Sequence, residues 1–135
     1  MKIIQYKPEL EIVLWESEDK LTVDEWKRFS DELRLRIDWL YGGVRDRICL
    51  VCGQPFQDFD LHHAIVSRKD VMGWSKKRRK LINVELNLIP LHNRCHLQNP
   101  PSREVAWAFQ SDFYGEDILE LWYYSLPFKI FPRRF

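Results

Sequence analysis

Cys49-Leu50-Val51-Cys52, Asp60-Leu61-His62-His63 and Asn87-Leu88-Ile89-Pro90-Leu91-His92-Asn93-Arg94-Cys95-His96 decide the fold. They hold all three cysteines and all four histidines of the 135-residue chain. An odd cysteine count argues against a disulfide framework, and thiols clustered with imidazoles argue for metal. In Cys49-x-x-Cys52 and His92-x-x-Cys95, two intervening residues let both side chains grip one ion from a single tight turn. Two such knuckles close a tetrahedral site with no open position, which is the structural kind of zinc site. Three thiolates and one imidazole favour zinc over hard cations. The 39 residues between Cys52 and His92 exceed the usual zinc-ribbon interval, so something is inserted between the knuckles.

Asp60, His62, His63 and His96 are surplus to that site. On a strand His62 and His63 point to opposite faces, which suits one ligand and one base rather than two copies of either. On a helix His96 is turned about 100° from Cys95 and can face a different metal.

Outward from this centre, Thr22-Val23-Asp24-Glu25 fits a capping box. Trp26, Phe29, Leu33, Ile37 and Leu40 then recur at spacings of three and four until Gly42-Gly43. The spacing predicts an amphipathic helix over 23–41, preceded by short strands at Ile3–Tyr6 and Glu11–Trp15. Residues 47–66 read as strand, knuckle and strand, with Cys52-Gly53-Gln54-Pro55 as turn. Residues 67–83 are basic and helical in part after Ser75, 86–91 are extended, and a short helix runs from Asn93 to before Pro100. Helices are expected over 103–114, capped by Ser102, and over 116–125. The core formers there are Val105, Trp107, Ala108, Phe109, Phe113, Ile118, Leu119, Leu121 and Trp122, and the tail Phe128–Phe135 reads as loose. Residues 1–46 read as a strand and helix appendage, and 47–135 as the main domain.

Hydrophobic residues make up 45% and charged residues 30%, which places the chain among globular rather than disordered proteins. No apolar run is long enough to span a bilayer, and Met1–Pro8 has no apolar core of signal-peptide length. The expectation is a cytoplasmic protein without a membrane partner. The net charge of +1 hides a gradient. Residues 1–41 carry seven Lys/Arg and ten Asp/Glu, whereas 68–80 carry seven basic residues and a single acid, Asp70. That run, Arg68, Lys69, Lys76, Lys77, Arg78, Arg79 and Lys80, points to an anionic partner. A solvated helix face is the plainer alternative.

Asp60-x-His62-His63, Asn87-Leu88-Ile89-Pro90-Leu91 and Cys95-His96, in this order and between two knuckles, resemble the HNH endonuclease motif. The flanking knuckles are similar to those of its zinc-bearing branch, common in bacteriophages and restriction enzymes. The match covers roughly residues 47–98. The resemblance implies an α+β fold: a ββα-metal core with a structural zinc site, flanked by N- and C-terminal helices. It implies that His62 and His96 hold a catalytic divalent ion and that His63 is the general base. It further implies that Asn87 holds the loop and orients the base, with Asp60 as a supporting carboxylate or a further ligand.

The implied activity is metal-dependent hydrolysis of DNA phosphodiester bonds, leaving 5′-phosphate and 3′-hydroxyl ends, by nicking or by paired nicks. Cofactors would be structural Zn²⁺ and one catalytic ion from among Mg²⁺, Mn²⁺, Ni²⁺, Co²⁺ and Zn²⁺. The partner would be double-stranded DNA, contacted by the basic run. The chain's size resembles the compact phage type, whose genes often lie beside the DNA-packaging terminase, so terminase is a second candidate partner and the host cytoplasm the location. A non-catalytic zinc-stabilised module that docks on DNA or terminase is the alternative; it has no use for His63.

Two departures stand out. His92 replaces the cysteine that most zinc-bearing members carry, and zinc accepts either. Pro100 stands where colicin-like nucleases have a further metal-binding histidine.

Overall fold

A computed structural model describes residues 2–7, 10–14 and 22–131; of the first two stretches, and of Val23, Trp26, Phe29, Val44 and Lys77, it describes the backbone alone. Trp15, the side chains of Trp26 and Phe29, and the end of the tail at 132–135 therefore lie outside the described residues. The fold mixes α and β. Strands β1 (Lys2–Lys7) and β2 (Leu10–Leu14) pair antiparallel. Helix α1 (Val23–Trp39) follows, started by the capping box: the Thr22 hydroxyl accepts from the Glu25 N–H, and the Glu25 carboxylate accepts from the Thr22 N–H, both at 3.2 Å. Leu33, Ile37 and Leu40 are its buried stripe. The two glycines do not end the helix abruptly. They fall within one π-helical turn, Leu40–Val44, closed by the Arg45 N–H on the Leu40 carbonyl at 2.7 Å.

Strand β3 (Asp60–His63) pairs antiparallel with β4 (Leu88–Leu91), with His62 opposite Ile89 and His63 opposite Leu88. Helix α3 (Asn93–Gln98) leaves directly from β4. Both strands are shorter than the apolar pattern suggests, because the loop Ala64–Val66 turns inward and is buried beside Asn87. Between the strands the chain makes a 3₁₀ turn at Lys69–Val71, helix α2 (Lys76–Arg79) and a second 3₁₀ turn at Lys80–Ile82. Helix α2 and the second 3₁₀ turn lie after Ser75, where the sequence suggests helix in part; the first 3₁₀ turn precedes it and is held by the Asp70 carboxylate, which accepts from the Ser67 N–H and from Arg103.

Helices α4 (Arg103–Tyr114) and α5 (Glu116–Ser125) fall where expected. The Ser102 hydroxyl caps α4 by accepting from the Val105 N–H at 3.2 Å. Gly115, at φ +98°, makes the corner between them, a conformation L side chains rarely adopt. The buried face differs from expectation. Ala106, Trp107, Gln110 and Tyr114 face inward on α4, while Val105 on α4 and Leu121 on α5 are exposed. The inward stripe admits a glutamine because its amide donates to the carbonyls of Glu85 and Leu86, which the approach to β4 leaves without strand partners. Trp122 likewise donates its indole N–H to Leu81. Helix α1, the knuckle, both strands of the β3–β4 pair and α4–α5 share one core. No helix among the described residues is long and apolar enough to cross a membrane.

Candidate metal centre and basic pocket

The first knuckle is a tight turn between an isolated bridge pair, Ile48 and Pro55. The Cys49 N–H donates to Gln54 and the Gly53 N–H to Cys49, both at 2.9 Å. Gly53 takes φ +71°, the left-handed geometry that reverses the chain within two residues of Cys52. The second knuckle forms where β4 passes into α3. Three sulfurs and one ring nitrogen, from Cys49, Cys52, Cys95 and His92, converge within 4.8 Å of one another. A tetrahedral zinc site with metal–sulfur bonds of about 2.3 Å has edges of about 3.8 Å, so the four donors need only close slightly on an ion. The His92 ring is already aimed. Its Nε2–H donates to the Pro55 carbonyl at 3.1 Å, and Nδ1 lies 3.2 Å from the Cys52 sulfur. That outer hydrogen bond fixes the tautomer a ligand needs. Burial opposes ionisation of Cys49, but the N–H groups of Cys52, His92 and Val51 outweigh it and lower its pKa to about 6. The donor set fits zinc, and the site is closed on all sides by protein ligands.

Beyond this cluster, β3 and α3 bring a second group together. The His62 and His96 rings have centroids 5.0 Å apart. Two rings on one ion with metal–nitrogen bonds of about 2.1 Å have centroids about 5 Å apart, but among the described residues the donors that converge as a metal-binding group are those of Cys49, Cys52, His92 and Cys95. The Asp60 carboxylate accepts from His96 Nδ1 at 3.3 Å and from the Asn93 amide at 2.7 Å. Those hydrogen bonds, His96 first, hold its carboxyl below the usual carboxylate range. They also commit Nδ1 of His96 to Asp60 and leave Nε2 for a cation. Desolvation, then the neighbouring His96 and His63, push His62 down to about 4, so it is a neutral imidazole with a free lone pair at physiological pH.

His63 leaves the strand on the other side and meets different company. Its Nε2 lies 2.7 Å from Asn83 Oδ1. An amide oxygen only accepts, so Nε2 carries the proton and Nδ1 keeps its lone pair. Desolvation depresses the His63 pKa most; the Asn83 bond pulls upward, and Arg68 and His96 add to the depression. The ring is therefore neutral, the form a general base requires. It opens on a cavity of about 290 Å³ lined also by Arg68, Lys76, Arg79 and Lys80, with no carboxylate in the lining.

Asn87 is fully buried and saturated. Its Oδ1 accepts from the N–H groups of Ile65 and Val66, and its Nδ2 donates to the carbonyls of Val66 and Ile82. It pins the loop after His63 and does not touch the imidazole; Asn83 does. Asn87 thus holds the loop as the sequence suggests, and the contact to the imidazole comes from Asn83, a residue the sequence does not single out. Asn83 sits at the end of the Lys80–Ile82 turn between buried Ile82 and Val84, and its place in the sequence carries no signal of a partner twenty residues away.

The basic run divides. Arg68, Lys76, Arg79 and Lys80 line the His63 cavity, Arg78 lines a separate groove with Lys129, and Lys69 lines neither. The side chain of Lys77 lies outside the described residues. No protein-family model matches the chain, and no curated protein or solved structure matches it either.

Proposed function

We propose that the chain is a metal-dependent endonuclease of the HNH kind, with a ββα-metal core and a structural zinc, acting on double-stranded DNA. One observation carries the reading: a neutral imidazole, His63, opens on a cavity lined by four cations, while its strand neighbour His62 lies against His96, whose ring is bonded to Asp60. A structural module has no need of the first of these features.

His62 and His96 would hold the catalytic ion, with Asp60 fixing the His96 ring. The chemistry such an ion would supply is charge neutralisation on the phosphate and its leaving group. His63 accepts the proton of the attacking water at Nδ1, and Asn83 stabilises the resulting imidazolium through Nε2–H. Arg68, Lys76, Arg79 and Lys80 bind phosphates and hold the backbone against the base. Asn87 keeps the loop that follows His63 in place. Hydrolysis on this plan leaves a 5′-phosphate and a 3′-hydroxyl. The motif's likeness to the zinc-bearing branch common in bacteriophages makes phage DNA processing, with terminase as a companion, the proposed setting.

Supercoiled plasmid incubated with zinc-loaded protein and Mg²⁺, Mn²⁺, Ni²⁺, Co²⁺ or Zn²⁺ tests the reading. Nicking that EDTA abolishes supports it. A folded, zinc-loaded protein that cuts with none of these ions, alone or with terminase, contradicts it and leaves the binding module.

A further inference from the structure

Separate from the His63 cavity, Gly73, Trp74, Ser75 and Arg78 face Pro127, Lys129 and Ile130 of the C-terminal segment across a groove of about 530 Å³. Its two charged residues, Arg78 and Lys129, are both exposed cations, and no carboxylate lines it. Among the described residues neither cation has an acidic partner; the nearby acid, Asp70, is engaged by Arg103 at 2.8 Å. The apolar wall is built rather than incidental: the Trp74 ring lies 4.7 Å from that of Phe128, which ties the loop to the C-terminal segment. Ile130 is 88% exposed at the rim.

We propose that this groove is a second nucleic-acid subsite, which holds the phosphate backbone beyond the position opposite His63. Arg78 and Lys129 take phosphates, and Trp74 and Ile130 offer the sugars an apolar wall. The inference rests on the nuclease reading and extends it to the C-terminal segment. Charge complementarity selects the occupant. Lys76, Arg79 and Lys80 enter the His63 cavity while Arg78, in the same turn, enters the groove. One polyanion passing over α2 neutralises both sets, whereas an acidic peptide would need carboxylates spaced to reach both cavities.

The test measures duplex binding against salt concentration by zinc-loaded protein carrying His63→Ala, so that nothing is cut. Each phosphate contact contributes about 0.9 to the slope of log K against log[salt]. Arg78→Gln with Lys129→Gln should flatten the slope by about 1.8, and Arg79→Gln with Lys80→Gln by a similar amount through the other cavity. Ile130→Asp, at an exposed rim position that folding does not use, should weaken binding by electrostatic repulsion.

Flattening by Arg79/Lys80 but not by Arg78/Lys129 overturns the groove and leaves the nuclease reading standing. Flattening by both pairs in a protein whose parent cuts no plasmid supports the groove and removes the nuclease. No binding of duplex by any form overturns both. Polyglutamate that binds the parent, and loses affinity with Arg78/Lys129 while the DNA slope is unchanged, overturns the proposal in favour of an acidic protein partner.

Discussion

Asn87→Ala should cost more stability than any other single polar substitution in the site. The asparagine is fully buried and makes four hydrogen bonds, two accepted from Ile65 and Val66 and two donated to Val66 and Ile82. Alanine leaves two N–H groups and two carbonyls without those partners. A buried polar group left unsatisfied costs about 1–3 kcal/mol, so even with some relaxation the loss is about 4 kcal/mol or more. Against a typical total of about 5–15 kcal/mol, that is a large fraction. For a chain of this size it corresponds to a fall in Tm of about 10–20 °C. Asn87→Asp should not rescue it: one carboxylate oxygen can still accept from the two N–H groups, but the other faces two carbonyls. The assay is thermal melting of both variants beside the parent, all zinc-saturated, so that differences in metal loading do not enter. An Asn87→Ala protein melting within about 3 °C of the parent would refute the assignment of these bonds as what holds the loop after His63.

Other consequences follow from the same geometry. Purified protein should retain one zinc per chain by metal analysis, and strong chelators should lower its Tm sharply, since a closed Cys₃His site contributes folding energy directly. The pH profile of cleavage should show an acid limb with its midpoint below the ordinary imidazole value of 6.5. Burial first, and then Arg68 and His96, lower the His63 pKa against the pull of Asn83, and a base works only above its pKa, so activity is lost as pH falls through that lowered value. Asn83→Ala removes the one raising influence, so the limb should move further to acid while the maximal rate drops; a limb moving to higher pH would contradict the Nε2–H assignment.

The Cys₃His cluster is legible in the sequence because its pairs are local. Cys49-x-x-Cys52 and His92-x-x-Cys95 each place two donors on one turn, and only the joining of the turns requires the fold. Helix ends are legible for the same reason: Thr22 with Glu25, and Ser102, act on backbone groups three residues away. The period of two along a strand is enough to send His62 and His63 to opposite faces. What escapes a reading of the sequence depends on contacts distant along the chain. Asn83 meets His63 only because two 3₁₀ turns and α2 fold back over β3. The basic run reads as one patch, yet Arg79 and Arg78, about 100° apart on one turn, line different cavities, and Lys129 arrives from the far end of the chain. Val105 reads as core, but α4 turns Ala106, Trp107, Gln110 and Tyr114 inward, with Gln110 reaching the carbonyls of Glu85 and Leu86.

In the proposed reaction a neutral His63, fixed by Asn83 above a cavity of cations, removes the proton from the attacking water. Single-turnover cleavage of a DNA duplex by the parent and by His63→Ala, both zinc-loaded and of equal Tm, measures it most directly. The account predicts that His63→Ala loses about 10²–10⁴ in rate with its DNA affinity retained. Cleavage by His63→Ala at the parent's rate would contradict it.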